Sequence, residues 1–191
     1  PNFQNALKLT SDNAKGFTDY RRMHEMKELD AVVIATPVFL HPVMTVDALN
    51  AGKHVFVEKA MGIDIPSVKE MVTTQKETGK CLQIGHQRMF DVRYLAALER
   101  VKKGDFGPIT HIRSNWNMNN PGWGIRENVP SHLEEKLNWR MYNRYSLGLM
   151  GELISHQTQV SNWFIGELPE YVVGSGSLHH LKKGDRDTFD H

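Results

Sequence analysis

Residues 30–60 read DAVVIATPVFLHPVMTVDALNAGKHVFVEKA, and this stretch decides the fold. It opens on a short β-branched run, Ala31 to Ile34, that breaks at Thr36-Pro37, and it closes on a second apolar run, His54 to Val57, that breaks at Glu58-Lys59. Between them Val43, Val46, Ala48 and Leu49 recur at helical spacing, and Asn50-Ala51-Gly52 supplies a helix stop. Strand, helix and strand in that order predict one β-α-β unit with parallel strands. Working outward, a helix over 65–78 leads to a third strand-like run at Cys81 to Ile84. Residues 30–84 therefore predict three parallel strands joined by crossover helices, an α/β arrangement of the doubly wound kind.

In such sheets, ligands meet the carboxyl ends of the strands. Thr36, Pro37 and His41 follow one strand end, and Glu58 and Lys59 follow the next, so both loops are expected to border one crevice. Side chains of neighbouring strand residues point to opposite faces, so Glu58 and Lys59 share a side only if the strand has ended before them. A lysine held in a partly closed cleft can exchange a proton with a substrate hydroxyl. Lys59 is the first candidate for that role.

Gly85 marks the expected boundary between two domains, 1–84 and 85–191. Beyond it, Val92 to Val101 reads as a helix stopped at Gly104, and Ile109 to Trp116 alternates like a half-exposed strand of a new sheet. Residues 117–138, rich in Asn, Pro and Gly, resemble a long functional loop. A second amphipathic helix runs from about Gly148 to Ile165, closed by Gly166, and Tyr171-Val172-Val173 begins another strand. This half predicts an α+β domain with a mostly antiparallel, open sheet. On the 148–165 helix, Leu149, Leu153, Val160 and Phe164 form the core face, while Glu152, His156 and Gln159 share a neighbouring stripe. A carboxylate one turn before a histidine can fix its tautomer and raise its basicity. The same spacing also fits a solvated helix face carrying a Glu-His pair.

Composition narrows the classes. The chain has 191 residues, 40% of them hydrophobic, a formal net charge of +1, and acids and bases interspersed, so it can bury a core and carries no basic stripe for nucleic acid. No apolar run reaches the ~20 residues of a membrane span, and the first residues lack the basic and apolar regions of a leader. A cytoplasmic protein is expected. The one cysteine, Cys81, reads as a buried strand thiol and excludes an intramolecular disulfide. The ten histidines show no ligand spacing, so no metal site is expected. Gly174-Ser175-Gly176 lacks a third glycine and reads as a turn. Trp139-Arg140 and Gln87-Arg88 read as packing and surface pairs that gain interest only in company.

In this order, the motifs resemble those of the Gfo/Idh/MocA family of nicotinamide-dependent oxidoreductases, which act on sugars, polyols and related compounds. The strand and loop from Asp30 to His41 look like those over which that family's dinucleotide lies. The segment Ala51 to Lys59 is similar to its most recognisable motif, and the helix with Glu152 and His156 resembles its second. The resemblance implies Lys59, His156 and Glu152 as catalytic residues, Lys59 and His156 flanking the reacting hydroxyl and Glu152 orienting or relaying to His156. It implies Thr36, Pro37, His41, Glu58, Lys59, Gln87, Arg88, Trp139 and Arg140 around NAD or NADP and the substrate, a small sugar or polyol, in a homo-oligomer.

Three departures stand out. Ala60 takes the place of the family's proline, and Glu152 the place of an aspartate. No Gly-x-Gly-x-x-Gly segment precedes Asp30, so the expectation is a fragment lacking the first β-α-β unit and part of the second domain. Two further activities accord with the resemblance: glycoside cleavage through transient oxidation by tightly held NAD, and sugar or partner binding without turnover.

Overall fold

The structure, a computed structural model, describes residues 2–10, 14–117 and 124–190. Two short helices, α1 (Asn2–Leu9) and α2 (Tyr20–His24), precede the sheet. Then come β1 (Ala31–Ile34), α3 (His41–Asn50), β2 (His54–Val57), α4 (Ile65–Thr78) and β3 (Leu82–Ile84). The strands are parallel in the order β1-β2-β3, with Ala31 opposite His54, Ile34 opposite Val57, and Val57 opposite Ile84. Local chemistry explains the boundaries. Asp64 accepts a hydrogen bond from the Ser67 amide at the start of α4, and Gly79 ends it with a φ of +65°.

Val32, Ile34, Val55 and Val57 point to one face of the sheet and pack with Ala48, Leu49 and Met71 from α3 and α4. The other face carries Val33, 73% exposed, and Phe56. Both helices lie on the same side for a reason of handedness: each crossover steps one strand in the same direction, and right-handed crossovers then return to the same face. The three parallel strands and their crossover helices are the α/β arrangement expected of this segment. Cys81 is exposed, not buried as expected. It lies just before β3, and the alternation that buries Leu82 partly leaves Cys81 and Gln83 outside.

After β3 come α5 (Val92–Lys102), α6 (Ser131–Leu137) and α7 (Ser155–Ile165). The long helix expected from Gly148 is present, but it enters α7 through a π-helical turn over Met150–Ile154. The strands expected over 109–116 and 171–173 do not form: among the described residues both segments are irregular and have no ladder partners. Alternating sequence marks a half-covered surface, whereas a strand also needs a neighbour for its amides. The loop expected over 117–138 contains α6, and its residues 118–123 lie outside the described residues.

The two halves meet through aromatic rings. Phe39, just after β1, packs against Trp139 and Tyr145, with ring centroids 6.3 and 4.9 Å apart. Among the described residues, no helix is long and apolar enough to cross a membrane.

Candidate functional site

The β1–β2 ladder continues as far as Glu58, whose amide donates to the Ile34 carbonyl at 2.9 Å. Strand geometry ends there, and the Lys59–Ala60 peptide bond is cis. Lys59 then reaches across to the 148–165 helix, where its Nζ donates to the Glu152 carbonyl oxygen. The same Nζ lies 3.9 Å from the Glu152 carboxylate, and Arg140 Nε lies 3.4 Å from that carboxylate on another approach. The Glu152 side chain is only 8% exposed, so the solvated-face alternative fails. A buried carboxylate is costly without cationic partners, and here it has two.

The expected Glu152–His156 relay is absent. His156 is buried, and its Nδ1 has no hydrogen-bond partner. The cause is partly the π-turn at 150–154, which breaks the 100° progression on which the stripe was drawn, and partly the competing charges of Lys59 and Arg140. Gln159, one turn on in α7, faces a different space. It borders a separate, mainly apolar groove of about 730 Å³ with Ser155 and Trp163, which contains no ionisable side chain.

A cavity of about 420 Å³ does gather ionisable groups: Glu58, Lys59 and His156 line it, with Gln87, Phe56, Phe90 and Gly85. A Cβ on Gly85 would stand 3.1 Å from the Glu58 carboxylate atoms, so the glycine lets that carboxylate lie close against the backbone. Burial first, then the charges of Lys59 and Arg88, then His86, bring the His156 imidazole down from 6.5 to about 4. His86, the residue after Gly85, sits edge-on to His156 with centroids 6.1 Å apart, and burial and Lys59 lower its pKa as well. Both rings are neutral at neutral pH. His86 was not singled out in the sequence, although it follows a strand end just as Lys59 does.

Other expected residues serve elsewhere. His41 is buried, with Nδ1 2.7 Å from the Ala60 carbonyl and Nε2 2.9 Å from the Thr36 carbonyl, so it braces the two strand-end loops and offers no ring atom to a ligand. Thr36 Oγ1 contacts Met44, and Pro37 leads into the 3-10 turn at Val38–Leu40; neither lines the cavity. Trp139 is buried against Phe39, with the Arg140 guanidinium 4.3 Å from its ring centroid, which leaves it little surface for a cofactor. Arg88 lies over Trp116, 5.4 Å from the ring centroid. The cavity's Glu58, Lys59, Gln87 and His156 fit the reactive end of a dinucleotide, while no described segment forms a glycine-rich pyrophosphate loop.

Residues 1–86 match the sequence model of the oxidoreductase family with an NAD-binding Rossmann fold, and residues 94–190 match that of the GFO/IDH/MocA C-terminal domain. The chain is 30% identical over 159 residues to 2,7-anhydro-N-acetylneuraminate hydratase of Escherichia coli, covering 83% of this chain and 40% of that protein. It is 26% identical over 178 residues to myo-inositol 2-dehydrogenase of Thermotoga maritima, covering 91% and 48%. Scyllo-inositol dehydrogenase of Lactobacillus casei, solved with bound NAD(H) and scyllo-inositol, superposes with a TM-score of 0.59 at 29% identity, over 78% of this chain and 41% of that one. The chain therefore spans less than half the length of these relatives. On its two matched segments and its parallel sheet, it belongs to the Gfo/Idh/MocA family of oxidoreductases.

Proposed function

We propose that the whole protein transfers a hydride between NAD or NADP and a hydroxyl-bearing carbon of a sugar, polyol or related compound. The observation that carries this reading is the convergence of Lys59 and His156, from opposite halves of the chain, on one cavity. Bound there, the nicotinamide supplies the hydride chemistry. Lys59 and His156 flank the reacting hydroxyl, and one of them accepts its proton as the carbonyl forms. The neutral imidazole borders the cavity as a proton acceptor, while Glu152, through its carbonyl and carboxylate, holds the lysine Nζ in place. Glu58 and Gln87 border the same space and are assigned to cofactor contact. The organisation into domains 1–84 and 85–191 is supported by the separate matches over 1–86 and 94–190.

Lys59→Ala in the whole enzyme tests the reading. Turnover is expected to fall about 10²- to 10⁴-fold with nicotinamide affinity retained. Undiminished turnover with intact cofactor binding would remove the lysine from the mechanism.

A second reading, turnover with no net redox change, draws support from the relative named a hydratase. Product release from a nitrophenyl glycoside without added or reduced nicotinamide would select it over the first.

A further inference from the structure

A histidine used in proton transfer is ordinarily oriented by a hydrogen bond from its second nitrogen to a carboxylate or carbonyl. His156 has no such bond, since Nδ1 is buried without a partner and Glu152 is committed to Lys59 and Arg140. Its ring is nonetheless enclosed. Trp116 stacks on it with centroids 6.1 Å apart and planes 18° from parallel, and His86 meets it edge-on. The Arg88 guanidinium lies over the same indole. The segment that carries Trp116 is tied to α7 itself: Gln157 Nε2 donates to the Asn115 carbonyl at 3.3 Å.

We propose that Trp116 is a positioning residue for His156, its indole face fixing the orientation of an imidazole whose buried Nδ1 makes no hydrogen bond. A stacked ring resists rotation without consuming a nitrogen, so orientation and proton-accepting capacity are supplied by different neighbours. The indole also keeps water from the ring. The charged and titratable groups around the ring are Lys59 from the end of β2, His86 and Arg88 from the segment after β3, Glu58 beside Lys59 in the same cavity, and Glu152 from the turn before α7. The first three disfavour an imidazolium, and removal of the indole admits water that favours it.

This inference rests on the reading of His156 as a proton-transfer group, so its test reads the imidazole directly by nuclear magnetic resonance of the whole protein. In the wild type, the His156 ring protons are expected upfield-shifted by the indole ring current, with a titration midpoint near 4. Trp116→Ala should abolish the upfield shift and move the midpoint towards 6.5, while Trp116→Phe, which keeps an aromatic face, should retain both. Unchanged ring shifts and midpoint in Trp116→Ala would overturn the proposal, and so would a Phe variant that behaves like Ala. If Trp116→Ala fails to fold, the wild type and Trp116→Phe still decide, because a wild-type ring without the upfield shift overturns it equally. Lys59→Ala turnover tests the underlying reading separately, since none of these signals depends on catalysis.

Discussion

Residues 30–84 and 85–190 use the same kinds of side chain to different ends. In the first region, the core is a continuous patch contributed by strands only four residues long and the two helices packed on them, with Leu49, Val57 and Met71 fully enclosed. In the second, helices, 3-10 turns and irregular segments hold one another largely by polar links. Arg186, with a side chain 4% exposed, pairs with Glu134 at 2.7 Å, and Glu134 in turn accepts from Asn138. The Arg186 guanidinium and the Asn138 amide hold the Glu134 carboxylate below its ordinary pKa despite some desolvation. The difference teaches where the site must lie. The cavity lined by Glu58, Lys59 and His156 draws on both regions, where the Lys59 loop of the first touches the 148–165 helix of the second.

Measurements that break or sharpen this contrast begin with the core. Met71→Ala empties a fully enclosed position and is expected to cost about 2–5 kcal/mol in chemical denaturation, with the whole 30–84 region losing cooperativity. A loss below that range would mean the parallel sheet does not depend on α4.

At the seam, Glu152→Gln keeps the volume but removes the charge facing Lys59 and Arg140. About 1–3 kcal/mol should be lost, read by the same denaturation, because a cation less than one-fifth exposed loses its counter-charge. No loss would show that the Glu152 carbonyl alone suffices for the lysine.

Acid should act on the same seam. His156 has its folded pKa depressed to about 4 against 6.5 unfolded, so between those values the unfolded chain binds the extra proton. Its contribution to stability is full above 6.5 and is lost as pH falls towards 4; His86 and His24, both lowered by burial, act in the same direction. Denaturation midpoints measured down that range should fall, and His156→Gln should flatten the slope. A slope unchanged in the variant would contradict the burial of the ring.

The smallest effect belongs to the end of α7. Ile165 is 50% exposed, and Ile165→Ala should alter stability by about 0.5 kcal/mol or less. A core-sized loss would place a partner surface over it.

The strands and helices of 30–84 were readable to within a residue or two because each is announced locally: β-branched runs, a helical apolar period, Asp64 before α4 and glycines at the turns. Lys59 was readable for the same reason, as the residue that follows a strand. The strand alternation of 109–116 was equally local and yet produced no strand, since pairing depends on a second segment that alternation does not supply. The 150–154 turn altered which neighbours Glu152 could reach, and nothing in the spacing of Glu152 and His156 announced it. His41 was readable as a loop residue but its carbonyl partners were not, because a ring between two carbonyls cannot be told from a ring facing a ligand until the loops are folded.

By itself, then, the sequence determined the parallel β-α-β order, the family, and the loop that delivers Lys59, all of which follow from contacts between residues close along the chain. Only the tertiary structure decided that Glu152 holds the lysine and not the histidine, that His86 and Trp116 enclose His156, and that the Glu58 carboxylate lies against Gly85. Those choices rest on charges, rings and steric contacts between residues as many as 93 apart along the chain, which composition and periodicity do not encode.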